Sequence, residues 1–163
     1  MSESVPEPAQ VYLQLRQRIL ELAPGDLGLT EPGKTTQVWG VIMETGYEVG
    51  SATLVALADG TTSLYFSTGG GMIGSGTYSP LAEASKSFIH QAESHLAEIP
   101  ACSDHPLPQV GEVRFIVLTF SGNHAIAAPL ETLVKGKSLI SALYLQAQNT
   151  LSQLRLSAEQ KHK

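Results

Sequence analysis

Apolar residues recur along the chain at two spacings, one typical of helices and one typical of strands. Near the N-terminus they repeat every three or four residues, which predicts a helix that ends before Pro24 and Gly25. A second stripe follows Ser79-Pro80, a good helix start, and stops at Pro100. The first stripe consists of Val11, Tyr12, Leu15, Ile19 and Leu22, and the second of Leu81, Ala84, Ser85, Phe88, Ala92, Leu96 and Ile99.

A third helical stripe lies near the C-terminus. The helical region begins near Glu131, is interrupted at Gly136 and restarts after Ser138. Glycine costs about 1 kcal/mol relative to alanine inside a helix, so the interruption is predicted at that residue. The apolar and small positions expected to be buried are Leu139, Leu143, Ala147, Thr150, Leu151 and Leu154.

Five apolar runs have the length of strands. The first run is apolar on both faces, which predicts a central strand covered on both sides. The pairs Asp59-Gly60 and Gly122-Asn123 predict tight hairpin turns, the first with positive φ at both positions. The five runs cover residues 38–44, 52–58, 61–68, 113–120 and 124–128.

The order of these elements predicts an α+β fold. We expect a mostly antiparallel five-stranded sheet, in the order α-β-β-β-α-β-β-α, with helices on its faces. In outline this resembles profilin-like and roadblock domains, although those commonly place two strands before the middle helix and three after it. No residue motif of either family is present. The pattern predicts one domain over residues 9–156, with a disordered tail at 1–8 and a polar tail at 157–163.

A glycine-rich segment, residues 69–76, separates the predicted strands from the second helix. Its spacing matches G-x-G-x-x-G, but the expected helix begins too late and the strands are antiparallel, so a dinucleotide site is not indicated. Backbone N–H groups in such a loop can still hold an anion. The candidate ligand-binding residues are Gly69, Gly70, Gly71, Gly74, Ser75 and Gly76.

Other residues with reactive or metal-binding side chains show no recognisable arrangement. His95, Cys102, Asp104 and His105 are acceptable zinc ligands, but their spacing matches no standard zinc pattern. Glu44 is assigned to the flank of a turn. We therefore expect no catalytic residue, no metal and no cofactor, and we expect polar side chains to solvate the surface or shape turns.

Composition bears on the compactness of the chain, its binding partners and its compartment. Hydrophobic residues make up 42% of the 163 positions and charged residues 15%, which favours a compact chain and leaves little charge for the surface. The formal net charge is −5, which argues against binding to nucleic acid or an anionic membrane. Cys102 is the single cysteine, which excludes an internal disulfide and suits the reducing cytoplasm. No apolar run is long enough to cross a bilayer.

The sequence by itself does not identify a function. The sequence shows no recognisable arrangement of catalytic side chains and has few charged residues. It therefore favours a non-enzymatic protein-interaction, scaffold or regulatory module. The expected partner is another protein or a second copy of the chain, as in a homodimer. The alternative is a domain that senses a small molecule or anion through residues 69–76.

Overall fold

The structure is a computed structural model that describes residues 6–29, 37–74 and 78–160. Two short 3₁₀ helices, Pro24–Leu27 and Leu96–Glu98, accompany the main elements. Those elements, in chain order, are α1 (Gln10–Leu20), β1 (Val38–Tyr47), β2 (Gly50–Leu57), β3 (Thr62–Phe66), β4 (Gly71–Gly74), α2 (Ser79–Ser94), β5 (Glu112–Thr119), β6 (Gly122–Pro129), α3 (Leu130–Val134) and α4 (Ser141–Gln160).

The described strands form one antiparallel sheet in the order β4-β3-β2-β1-β5-β6. The α+β class and the central place of β1 are therefore confirmed, but the sheet has six strands, not five. The extra strand is β4, which lies inside the segment interpreted as a glycine-rich loop. The sequence did not predict this strand because two of its four residues are glycine, and glycine is depleted in strands. Four strands precede α2 and two follow it, so the strand order also differs from the profilin-like outline.

Two apolar layers cover the faces of the sheet. Helices α2 and α4 pack on one face, over a core that includes Leu54, Phe88 and Phe115. On the other face a smaller core around Trp39 and Ile42 is covered by α1 and by the chain that follows it. Side chains alternate between faces along a strand, and β1 is buried on both, so nine of its ten residues are buried.

Both hairpin turns differ in detail from the predicted ones. At the first, Gly60 has φ +92° while Asp59 does not have a positive φ. The Leu57 N–H donates to the Thr61 carbonyl, and the Asp59 carboxylate accepts from the Thr61 N–H. This is a longer loop with a single left-handed glycine. At the second, Gly122 already belongs to β6, so the turn lies at residues 120–121 instead of at Gly122-Asn123.

The C-terminal helical region is broken as predicted, at Gly136, where φ is +70°. Leu139 was expected in the buried stripe but is 75% exposed, because it precedes α4 and does not share its periodicity. Helix α4 continues to Gln160, beyond the predicted start of the polar tail. The extent of the domain, residues 9–156, stays a prediction. None of the described helices combines the length and apolar character needed to span a membrane.

Candidate functional site

The glycine-rich segment is divided between a turn and a strand. Gly69 and Gly70 form the β3–β4 turn with φ values of +108° and +81°, and the Gly69 N–H donates to the Phe66 carbonyl at 2.9 Å. Gly71 and Gly74 lie in β4. Ser75 and Gly76 lie outside the described residues. The structure thus brings Gly69, Gly70 and Gly71 to the sheet edge, and ligand binding by the segment stays a prediction.

Gly71 is required by backbone packing. A Cβ atom at this position would overlap the Leu64 carbonyl of the neighbouring strand. Gly71→Ala is therefore expected to lower the free energy of unfolding by about 1–3 kcal/mol, because the strand pair must shift to make room. The measurement is urea denaturation, with Gly25→Ala as the control. Gly25 has open space around it and no positive φ, so equal losses in the two variants would contradict this prediction.

An apolar groove lies between α1 and the β3–β4 edge, and we call it the α1–β4 groove. Its volume is about 250 Å³. Val11 and Ile73 are 55% and 64% exposed, and Phe66 is 36% exposed. None of the described residues that line it is charged. The lining residues are Val11, Tyr12, Leu15, Tyr65, Phe66, Gly70, Gly71, Met72 and Ile73.

Helix α1 is held against the sheet by buried polar contacts. The Tyr12 hydroxyl lies 2.6 Å from the Thr53 hydroxyl and 3.1 Å from that of Ser51. Burial raises the pKa of Tyr12, and the negative charge of Glu44 raises it further, so the phenol stays protonated. Tyr12 therefore fixes the position of α1, and with it one wall of the groove.

One turn further along α1, Arg16 forms a bidentate ion pair with Glu44. Its Nε and Nη2 donate to the two carboxylate oxygens at 2.7 and 2.8 Å, and Nη2 also donates to the His105 carbonyl. Thr53 donates to the same carboxylate at 2.7 Å. Burial alone would lower the pKa of Arg16, but hydrogen bonding to Glu44 and its charge outweigh that effect and raise the pKa.

Glu44 was wrongly assigned to the flank of a turn. It lies within β1, its side chain is fully buried, and its carboxylate is at the centre of the α1–sheet contact. Two sequence signals point to this pair. Glu44 is an acid in an otherwise apolar run, and Arg16 is four residues from Tyr12, on the same face of α1.

A larger, polar pocket lies beyond the Arg16–Glu44 pair, with a volume of about 730 Å³. Helix α1 forms one wall, the segment 101–105 forms another, and the start of β6 forms a third. Several polar side chains therefore line one pocket, and the expectation that they share no reactive pocket stays a prediction. The lining residues are Arg16, Gln17, Leu20, Glu21, Ala101, Cys102, Ser103, His105, Gly122 and Asn123.

His105 lines this pocket, and its surroundings favour the neutral imidazole. Its pKa is lowered by burial and by the charges of Arg114 and Arg16. The ring Nε2 lies 3.3 Å from the Asn123 amide nitrogen, which is a donor, so Nε2 accepts. The proton then sits on Nδ1, which is buried and has no hydrogen-bond partner among the described residues.

Arg114 lies against the same wall, opposite Glu44 in the β1–β5 pairing. Its Nη2 donates to the Asp104 carbonyl at 2.8 Å and lies 3.6 Å from the Cys102 sulfur. The Nε atom is buried without a partner in the described part of the chain. Arg114 forms no ion pair within that part, since Glu44 is paired with Arg16.

The four possible zinc ligands do not form a cluster in the structure. Among described residues, no group of three or more His, Cys, Asp or Glu side chains is placed to hold a metal ion. His95 is engaged locally, since its Nδ1 lies 2.8 Å from the Gln91 carbonyl. Comparisons with protein-family models, curated proteins and solved structures find no significant match to the chain.

Proposed function

We propose that the protein is a non-enzymatic interaction module that binds a second copy of itself through the α1–β4 groove. The observation that carries this proposal is the meeting of three exposed apolar side chains, Val11, Phe66 and Ile73, at one edge of the sheet. Exposed apolar patches of this kind mark interaction sites on soluble proteins. β4 is the outermost described strand on that side, so no other described strand lies between the groove and a partner.

The charge distribution permits a second copy as the occupant. Each chain carries a formal net charge of −5, so two copies repel one another unless they meet through an uncharged surface. The groove has no charged residue in the part of its lining that the structure describes. In a twofold dimer the same patch faces itself, and Val11 and Ile73 of each copy would pack against those of the other.

Ile73→Glu is expected to abolish self-association. A carboxylate at this position would face its own copy across the twofold axis and would be buried without a partner. Wild-type protein should be dimeric at micromolar concentration by light scattering. The dimer dissociation constant should rise at least about 30-fold in the variant, as for the loss of an interface residue worth about 2 kcal/mol.

Leu145→Glu is the matched control. Leu145 lies on α4 at the other face of the sheet and is 64% exposed, the same fraction as Ile73. This variant should keep the wild-type dissociation constant. Wild-type protein that remains monomeric, or equal weakening by the two substitutions, would rule out the proposed interface.

The alternative function, anion or small-molecule sensing by residues 69–76, has less support. The Gly69 amide is already engaged within the turn, and Gly71 belongs to the β3–β4 pairing. The same turn borders the α1–β4 groove through Gly70 and Gly71, which gives the glycines a role in shaping that surface.

We place the module in the cytoplasm, without a role in binding nucleic acid. The support is compositional. Cys102 is a free thiol, as a reducing compartment favours. The net charge of −5 opposes attachment to a phosphate backbone.

A further inference from the structure

We propose that helix α1 detaches from the sheet as a unit, while the sheet and helices α2 and α4 stay folded, and that this opening controls self-association. The second part rests on the proposed function, because α1 forms one wall of the α1–β4 groove. A chain with α1 detached lacks that wall and has no complete groove to present to a second copy. Self-association therefore selects the closed state, in which α1 lies on the sheet.

Helix α1 buries little of its own surface. Of its eleven described residues only Tyr12 is buried, whereas α2, described over its full length, buries five of its 16. Ile19 and Leu20 are only partly buried against the core around Trp39. Ala9, at the N-cap, has no side-chain oxygen to cap the first turn. A helix with few buried apolar contacts belongs to the less stable part of a fold.

The contacts that hold the first part of α1 are polar. The Tyr12 hydroxyl meets those of Thr53 and Ser51, and Arg16 pairs with Glu44. When α1 detaches, water replaces these hydrogen bonds, so their net contribution to the closed state is small. Hydration of the two separated charges offsets much of the attraction that is lost. The polar contacts thus fix where α1 lies at little cost to its release.

Open space lies on both sides of α1. The α1–β4 groove, of about 250 Å³, separates it from the β3–β4 edge, and the polar pocket, of about 730 Å³, separates it from residues 101–105. The helix can therefore move without displacing either neighbour. Trp39 and Ile42, which α1 and the chain after it cover, favour the closed state because they are apolar.

The test is native-state hydrogen exchange of the full chain, followed by NMR in urea below the unfolding transition. The Ile73→Glu variant is used so that self-association does not affect the rates. Protection factors at residues 14–20 of α1 should be at least about 10-fold lower than at residues 84–92 of α2. They should also depend weakly on urea, since the opening exposes little surface. Equal protection and an equal urea dependence in the two helices would overturn the proposal.

Phe88→Ala, added to Ile73→Glu, separates detachment of α1 from global unfolding. Phe88 belongs to the core on the other face of the sheet, so its contacts are the same whether α1 is docked or detached. Exchange in α2 should become at least about 100-fold faster, while exchange in α1 should not change. If this variant does not fold, Phe88→Leu replaces it, with an acceleration in α2 of about 10-fold. Equal acceleration in α1 would show that α1 opens only with the whole chain.

Arg16→Met, in the same background, should speed exchange in α1 at least about 100-fold, because the closed state then buries Glu44 without its cation. Arg18→Met is the matched control. It makes the same substitution at an exposed position of the same helix and should leave exchange in α1 unchanged. Equal rates in the two variants would contradict the role of the ion pair in holding α1.

The link to self-association is tested on the chain without substitutions. Exchange in α1 should slow at least about 10-fold at concentrations well above the dimer dissociation constant, since the dimer binds the closed state. A dimer by light scattering whose α1 exchange does not depend on concentration would overturn this link. A wild-type monomer would instead overturn the proposed function, and the detachment of α1 would still be decided by the Ile73→Glu measurements.

Discussion

Arg16→Met is expected to lower the free energy of unfolding by about 3–5 kcal/mol, the largest loss that a change of charge should cause in this protein. The substitution keeps an apolar side chain of similar length but leaves the Glu44 carboxylate buried without its cation. A buried, uncompensated carboxylate is costly because it has left water and gained no opposite charge. Chemical denaturation monitored by Trp39 fluorescence measures the change, since Trp39 is 2% exposed in the native state.

The double variant Arg16→Met/Glu44→Leu is the control. Removing both members of a buried pair and replacing them with apolar groups is often neutral or stabilising. The double variant should therefore recover most of the loss, and Thr53 keeps its contact with the Tyr12 hydroxyl. If the double variant is as unstable as Arg16→Met, the loss comes from packing of the arginine stem and not from the isolated carboxylate.

Phe88→Ala is expected to cost a similar amount, about 3–5 kcal/mol, by a different mechanism. Phe88 is fully buried on α2, and its ring meets that of Phe115 on β5 edge to face, with centroids 6.5 Å apart and planes at 79°. Truncation removes apolar contact area and leaves a cavity between helix and sheet, and that cavity closes only in part. The measurement is the midpoint of urea unfolding at unchanged slope.

Leu145→Ala provides the comparison for Phe88→Ala. Leu145 is 64% exposed on α4, and substitution there should change stability by no more than about 0.5 kcal/mol. A loss below about 1 kcal/mol for Phe88→Ala would mean that α2 is not held against β5 by this aromatic contact.

Local periodicity predicted much of the architecture. The spacing of Leu81, Ala84 and Phe88 identified the buried face of α2, and all three are buried. The apolar run 38–44 identified a central strand, and β1 is paired on both sides. These patterns succeed because burial of one face of a helix, or of both faces of a strand, leaves a regular mark on residue order.

Sequence periodicity did not predict the strand whose residue types are unusual for a strand. Residues 71–74 read as loop because of their glycines, yet they pair with β3. Gly71 is needed there because the Leu64 carbonyl leaves no room for a Cβ atom, and at Gly74 the ends of the Leu81 and Leu154 side chains occupy the space that a Cβ atom would take. Such close approaches arise between elements distant in sequence, so no local pattern records them.

In the candidate sites, too, some features follow from the local sequence pattern and others only from the fold. The apolar stripe of α1 was recognisable in the sequence. The exposure of Val11 was not, because it follows from the way that the Tyr12 hydroxyl fixes the helix on β2. The polar pocket was not recognisable at all. Arg16, His105 and Asn123 are separated by tens of residues, and the pairing of β5 with β6 and the position of α1 bring them together.

The sequence by itself determined the α+β class, the buried face of α2, the central strand, the net charge and the single thiol. Tertiary structure decided the sixth strand, the pairing of the buried Glu44 with Arg16 and the contact of Arg114 with the segment 102–105. The physical reason is the separation along the sequence over which each interaction acts. Backbone preference and burial of a face act between neighbours in sequence, whereas ion pairs and pockets depend on which distant segments the fold places in contact.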